Sequence, residues 1–219
     1  MVELQERFHS TIDKYEAKDF SFFFERLSGL SEELLENHYK LYEGYIKKVN
    51  EIYDNLKHVD KNYANHNYSE ERSLLVDLTH NLNAVVLHEL YFSNLVDETT
   101  EPNQELHTII ERDFGSWTKY IEDIQSASKC SRGWAITAYN YRDGKIRNFL
   151  IDGHNFYVPI SARPLLVIDV WEHAYTLDYG IDKPGYINAL FDNINWTVVS
   201  DRFESALKLD PGLIEPKQK

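Results

Sequence analysis

From Ser31 to about Asn55 the chain reads SEELLENHYKLYEGYIKKVNEIYDN, with apolar or aromatic residues at 34, 35, 39, 41, 42, 45, 46 and 49. That spacing is close to the 3.6-residue helical period and predicts a helix. Ser31 stands at its N-cap, and the placement of Glu33, Glu36, Lys47 and Lys48 suits the helix dipole. A polar stretch at 57–72 reads as loop or helix ends, and SLLVDLTHNLNAVVLHELYFSNL, 73–95, predicts a second long helix. It is apolar on most of its faces, so it is expected to be largely buried, and the two together form a helical hairpin.

After this hairpin the period changes. DETTEPNQ, 97–104, is acidic and polar and carries Pro102, the composition of a linker. Two helical pieces follow, broken at Gly115, with Ser116 capping the second. GWAITAYNYRDGKIRNFLIDGHN, 133–155, then alternates and carries the turn dipeptide Asp143-Gly144, which predicts a β-hairpin. PLLVIDV, 164–170, is a third strand opened by Pro164, and PGYINALFDNINWTVVSDRFESALKL is helical again with Pro184 near its start. The expected class is α+β, an N-terminal long α-hairpin followed by a three-stranded antiparallel sheet flanked by helices. The natural division is an N-terminal helical unit, 1–100, and a C-terminal unit, 101–219, with the tail after Leu209 expected to be loose.

Composition narrows the function. Of 219 residues, 23 are Lys or Arg and 36 are Asp or Glu, a formal charge of −13, which argues against nucleic acid or an anionic membrane as partner. Only Cys130 is available, so no intramolecular disulfide can form, and a reducing, cytoplasmic setting is expected. The first twenty residues lack the apolar core of a secretory signal, and no apolar run approaches a membrane span.

The chemistry concentrates in DVWEHAY, 169–175, directly after the apolar LLVI. Asp169 and His173 are spaced i, i+4, so a helix beginning near 169 would put both on one face within reach of one ion. An ionised Asp at the end of a buried strand is costly unless it is paired or bound to a metal. His38 and His88 lie among apolar residues of the two long helices. Each alone reads as a satisfied core histidine; together with Asp169 and His173 they make a nitrogen-rich site suited to iron, manganese or zinc.

At these residues the chain resembles the iron/manganese superoxide dismutases. Gly133-Trp134, PLLVIDVWEHAY at 164–175 and PGYINALFDNINW at 184–196 carry the resemblance most strongly, and DVWEHAY is the family's hallmark. GLSEELLENHY and HELYFSNL match more loosely but in the right order, so the similarity spans roughly residues 27–206. It implies that His38, His88, Asp169 and His173 are the ligands of one iron or manganese ion per subunit, with water or hydroxide as the fifth ligand. It further implies that Tyr45 is the gateway tyrosine of the substrate funnel and that His154 replaces the usual glutamine partner of the bound solvent. Ala84, small and four residues before His88, agrees with a solvent partner arriving from the hairpin. Trp134 and Trp171 would form the aromatic wall, Glu172 would cross a dimer interface to the partner's ligand His173, and Lys183 would stand where an arginine lines the funnel.

The implied activity is disproportionation of superoxide, with protons as co-substrate, by a homodimer or a dimer of dimers. Zinc cannot cycle between oxidation states, which leaves iron or manganese. Besides Lys183 in place of the arginine, two features depart from the family pattern. His38 and Tyr45 stand seven residues apart where eight is commoner, which should rotate Tyr45 by about 100° unless longer members carry a bulge. Leu41 and Tyr42 occupy the region of a second histidine pair, so the hydrogen bond expected from Tyr175 to a partner histidine lacks its acceptor. The acidic charge also opposes an anionic substrate, so Lys40 and Lys183 are expected to focus a local positive potential. The alternative from another class is a non-catalytic metal-binding or structural protein that keeps the fold.

Overall fold

The computed structural model describes residues 14–156 and 159–209; the expected loose tail lies outside them. The first long helix, α1, is Glu32–Leu56, and Ser31 caps it by accepting the Leu34 backbone N–H. Its buried residues, Leu34, Leu35, His38, Tyr42, Ile46, Val49 and Ile52, recur every three or four positions and form one face. That face packs on α2, Glu70–Phe92, which starts three residues earlier than the pattern predicts because Ser69 supplies the cap. The buried residues of α2 all lie in its C-terminal half, from Asn81 on, and even there Val86 is exposed, as are Leu75 and Val76, contrary to the expectation of burial on most faces.

Helices α3, Gln104–Phe114, and α4, Trp117–Cys130, are separated where predicted, at Gly115, whose φ of 89° lies in the left-handed region open to glycine. They lead into β1, Trp134–Asn140, and β2, Lys145–Ile151, which pair antiparallel around the Asp143-Gly144 turn. Strand β3, Ala162–Asp169, completes a sheet of order β2-β1-β3 with β1 in the middle. Pro164 does not open β3 as expected but sits inside it. The register slips between Thr137 and Ala138, so that Pro164 pairs with Ala138 at an edge-strand irregularity, where its missing N–H costs no regular ladder bond.

Beyond β3 the chain makes a short 3₁₀ segment, Glu172–Ala174, and a single turn at Thr176–Tyr179. Two helices follow, α5 (Lys183–Phe191) and α6 (Trp196–Lys208), where one was predicted. The break is made by Asn195, which caps α6, and by buried Asn193, whose amide donates to the carbonyls of Ser28 and Ala189 and fastens the turn to the segment before α1.

The sheet and α2 are joined by polar clips inside the core. Asn94 donates its side-chain N–H to the Val167 carbonyl at 2.6 Å. The Arg202 guanidinium, on α6, donates to the Leu165 carbonyl (2.7 Å), the Leu90 carbonyl (3.1 Å), the Ser93 hydroxyl (2.6 Å) and the Asn94 side-chain oxygen. Burial lowers its pKa to about 10, which still leaves it charged at neutral pH. Replacing Arg202 by Met strands several buried acceptors and is expected to cost about 2–4 kcal/mol in urea unfolding; an unchanged midpoint would contradict the clip.

Candidate metal centre

Asp169 ends β3 directly opposite Trp134 of β1, and its carboxylate is fully buried. One oxygen, Oδ1, accepts the Trp171 backbone N–H at 2.9 Å, which turns the chain out of the strand. The other, Oδ2, faces three imidazoles: His38 Nε2 at 3.1 Å, His173 Nε2 at 3.3 Å and His88 Nε2 at 3.7 Å. One donor atom from each of these four residues lies within 4.8 Å of all the others. The Asp169–His173 pair is therefore real, but a strand end, a tight turn and a 3₁₀ segment bring it together, and not the α-helix expected from its spacing.

His88 shows what the cluster is arranged to hold. Its Nδ1 lies 2.7 Å from the Ala84 carbonyl, an acceptor only, so Nδ1 carries the proton and Nε2 presents a bare lone pair. That Nε2 is buried and has no hydrogen-bond partner, as is also true of His38 Nδ1 and Trp171 Nε1. Fixing the far nitrogen of an imidazole on a carbonyl is the usual arrangement around a metal-ligating histidine. A divalent or trivalent ion of iron or manganese fits this donor set of three nitrogens and one carboxylate oxygen.

Burial dominates the ionisation. It holds the His38 imidazole below its ordinary range, and it pushes His88 down to about 3, helped by the neighbouring His38. For Asp169 burial acts upward, but the charge and hydrogen bond of His173 and the hydrogen bond from His38 reverse it, so the carboxyl is held well below the usual carboxylate range. The centre thus holds an ionised carboxylate beside His38 and His88 imidazoles that burial keeps neutral, the protonation state that metal binding needs.

A second layer surrounds it. Trp134 donates its indole N–H to His154 Nδ1 at 3.0 Å, and His154 Nε2 lies 3.2 Å from the Tyr45 hydroxyl. An indole can only donate, so His154 Nδ1 is bare and the proton of the neutral ring sits on Nε2, pointed at Tyr45. Burial pushes His154 down to about 4, with the facing His80 next in effect. Tyr45 reaches this position without the expected rotation. α1 is a continuous helix, and seven residues at 100° each return within about 20° of the starting face, so Tyr45 stands two turns below His38 on the same side.

The other predicted residues are placed as follows. Trp134 packs edge-on to His88 at 5.0 Å, and Trp171 stacks beside His173 at 6.3 Å between ring centres. Gly133 allows this wall, since a Cβ there would meet the Ile151 carbonyl at 2.5 Å and the Trp171 indole nitrogen at 3.3 Å. Tyr175 is buried and stacks on Tyr186 at 5.5 Å. Glu172 is exposed. Lys183 donates its ammonium to the Ser131 carbonyl at 2.7 Å, and Lys40 pairs with Glu36 at 3.5 Å, so each of the two expected steering lysines is engaged locally. The pattern reading missed His80, whose ring packs 4.5 Å from that of His154. Its place four residues before Ala84 and eight before His88, at successive steps of about 40° round the helix, was the available signal.

Comparison with known proteins decides the family. The family model described as "Iron/manganese superoxide dismutases, C-terminal domain" matches residues 102–202. The chain is 42% identical over 189 residues to the iron superoxide dismutase of Aquifex pyrophilus, covering 84% of this chain and 89% of the relative, with the same figures for that of Aquifex aeolicus. A manganese superoxide dismutase of Halobacterium salinarum is 30% identical over 179 residues, 81% of this chain and 88% of the relative. The chain belongs to the iron/manganese superoxide dismutase family. Its α+β fold, a helical N-terminal region followed by a three-stranded antiparallel sheet with helices, is the one expected of a member. Among the described residues no helix is long and apolar enough to cross a membrane.

The buried imidazoles set a pH dependence for this dismutase-family chain. In the unfolded chain a histidine takes up its proton near 6.5, while folded His154 and His88 do so only at about 4 and about 3. Between these values the unfolded state binds more protons, so stability falls as pH drops, by roughly 1.4 kcal/mol per pH unit for each imidazole. Urea midpoints of the metal-free protein should decline steadily from about pH 6.5 to about pH 4.5, and His154→Gln should flatten the decline.

Proposed function

We propose that this chain disproportionates superoxide to dioxygen and hydrogen peroxide with one iron or manganese ion per subunit, held by His38, His88, Asp169 and His173 between the N-terminal helical unit, 1–100, and the C-terminal unit, 101–219. The observation that carries this reading is the convergence of three imidazole nitrogens and one carboxylate oxygen within 4.8 Å, with a bare buried lone pair on His88. An iron or manganese ion held by these four residues would supply the one-electron couple that disproportionation needs. Asp169 offsets part of the ion's charge, and the three neutral imidazoles leave the remainder to attract an anion.

The protein's own task is to manage protons and water. Two superoxide ions and two protons give one dioxygen and one hydrogen peroxide, so each cycle consumes protons. Tyr45 stands beside the centre with its hydroxyl on the His154 Nε2–H, and burial raises its pKa, so it keeps its proton until one is demanded. Trp134 and Trp171 exclude bulk water from one side, and Trp134 also fixes the His154 tautomer. Lys183, which donates to the Ser131 carbonyl, is the positive charge this reading assigns to the substrate funnel.

Loading the purified chain with iron or manganese should give superoxide decay and raise the melting temperature, while zinc should raise the melting temperature alone. Asp169→Asn should lower the activity at least about a hundredfold, with loss of bound metal measured by elemental analysis. A folded, iron- or manganese-loaded protein that leaves superoxide intact would instead support the non-catalytic reading.

The assembly follows the same reasoning. Glu172 is exposed beside the ligand His173, and the neighbouring Leu177 and Ile181 are 52% and 101% exposed, an uncovered apolar rim suited to a second copy. The reading is a homodimer, or a dimer of dimers, in which Glu172 holds the partner's ligand histidine. With a single cysteine, a reducing compartment such as the cytoplasm suits it. Sedimentation should give at least a dimer, and Glu172→Ala should weaken both dimer and metal retention; a variant that stays dimeric and fully loaded would remove this role.

A further inference from the structure

We propose that His80 supplies protons to the Tyr45–His154 pair, acting through Tyr45 and not on the metal ligands; this rests on the dismutase reading above. Forming hydrogen peroxide draws a proton from Tyr45, which must be reloaded before the next cycle. The obvious route, through His154, is closed. A ring passes a proton by accepting on one nitrogen and releasing from the other, and His154 Nδ1 is sealed by the Trp134 indole N–H at 3.0 Å. His154 can therefore hold and lend the single proton on Nε2 but cannot relay one from behind.

Among the described residues, the rings packed against Tyr45 are those of His154, His88 and His80. His88 is fully buried with its Nδ1–H given to the Ala84 carbonyl, so it has no proton to spare. His80 differs from both. It is half-buried, its ring centre lies 6.3 Å from that of Tyr45 and 4.5 Å from that of His154, and it stands one helical turn before Ala84 on α2. The partial exposure of His80, on an α2 whose preceding residues Leu75 to Thr79 are mostly at the surface, gives its ring access to solvent. The transfer is proposed to run through one bridging water between the Tyr45 hydroxyl and the His80 ring packed beside it.

The step moves only a proton. Tyr45 gives its hydroxyl proton to the peroxide being formed, whose electrons come from superoxide and the metal couple. Protonated His80 then releases an N–H proton through the water to the Tyr45 oxygen. Neutral His80 recovers a proton from bulk solvent.

The test uses the full-length protein and two readouts. In the zinc-loaded protein, nuclear magnetic resonance measures exchange with water of the hydrogen on His154 Nε2. In the iron- or manganese-loaded protein, superoxide decay is followed at high substrate, where proton supply limits. His80→Phe, which keeps the ring and removes its acid, should slow both at least about tenfold. His80→Ala should do the same and recover on addition of imidazole, which fits the space left. Unchanged exchange in either variant overturns the proposal, and so does a slowing that imidazole does not relieve, since packing alone would produce it. Far-ultraviolet circular dichroism checks folding, and His80→Gln is the replacement should either variant unfold. The exchange readout needs no turnover, so an inert wild-type protein would defeat the dismutase reading while leaving the relay separately measurable.

Discussion

The structure depends on a buried negative charge. Asp169 lies at zero exposure at the end of a strand whose preceding residues, Leu165 to Ile168, are all apolar. An ionised carboxylate in such a place is stable only if its surroundings answer it. Its Oδ1 is satisfied by the next turn of backbone, and its Oδ2 by the imidazoles of His38 and His173, with the His88 ring from a third segment facing it. Even its backbone carbonyl is used, accepting the Tyr186 hydroxyl at 2.8 Å, which leaves Tyr91 as the donor to Tyr186. The helical hairpin, the central strand and the turn before α5 are all held to the geometry of one carboxylate.

That constraint explains where the polar clips lie. Asn94 and Arg202 hold the end of α2 to the backbone of β3 within a few residues of Asp169, so His88 and Asp169 sit on elements fastened to each other. Gly133 lets β1 pass close beneath Trp171, and Trp134 on the same strand reaches His154. The inner layer sets charge and holds an ion; the outer layer of Tyr45, His154, Trp134 and His80 governs where protons can sit. The two are separated by hydrogen-bond direction as much as by distance, since Trp134 decides which His154 nitrogen carries the hydrogen.

The shortened spacing between His38 and Tyr45 shows how backbone geometry settles what a residue count leaves open. Seven residues nearly complete two helical turns, so an unbroken α1 puts Tyr45 beneath His38 with no bulge. The net charge of −13 is likewise a global quantity, whereas the charge at the centre is that of one buried carboxylate among three imidazoles.

Local pattern was enough for the two long helices, the break at Gly115, the hairpin turn at Asp143-Gly144 and the apolar β3, because each is written in periodicity, caps and turn residues within a few positions. The four candidate ligands were also legible, since an acid and histidines on apolar faces are conspicuous and DVWEHAY is specific. Pro164 inside a strand, the division of the last helix at Asn193 and Asn195, and the exposed Leu75 and Val76 were not legible, because each depends on an edge, a bulge or a contact from a distant segment. The sequence alone determined which residues could bind a metal. Only the tertiary structure decided which nitrogen of each ring faces inward, that Tyr45 meets His154, and that His80 stands beside them, because hydrogen-bond direction and ring contact belong to the folded arrangement and not to the spacing of residues.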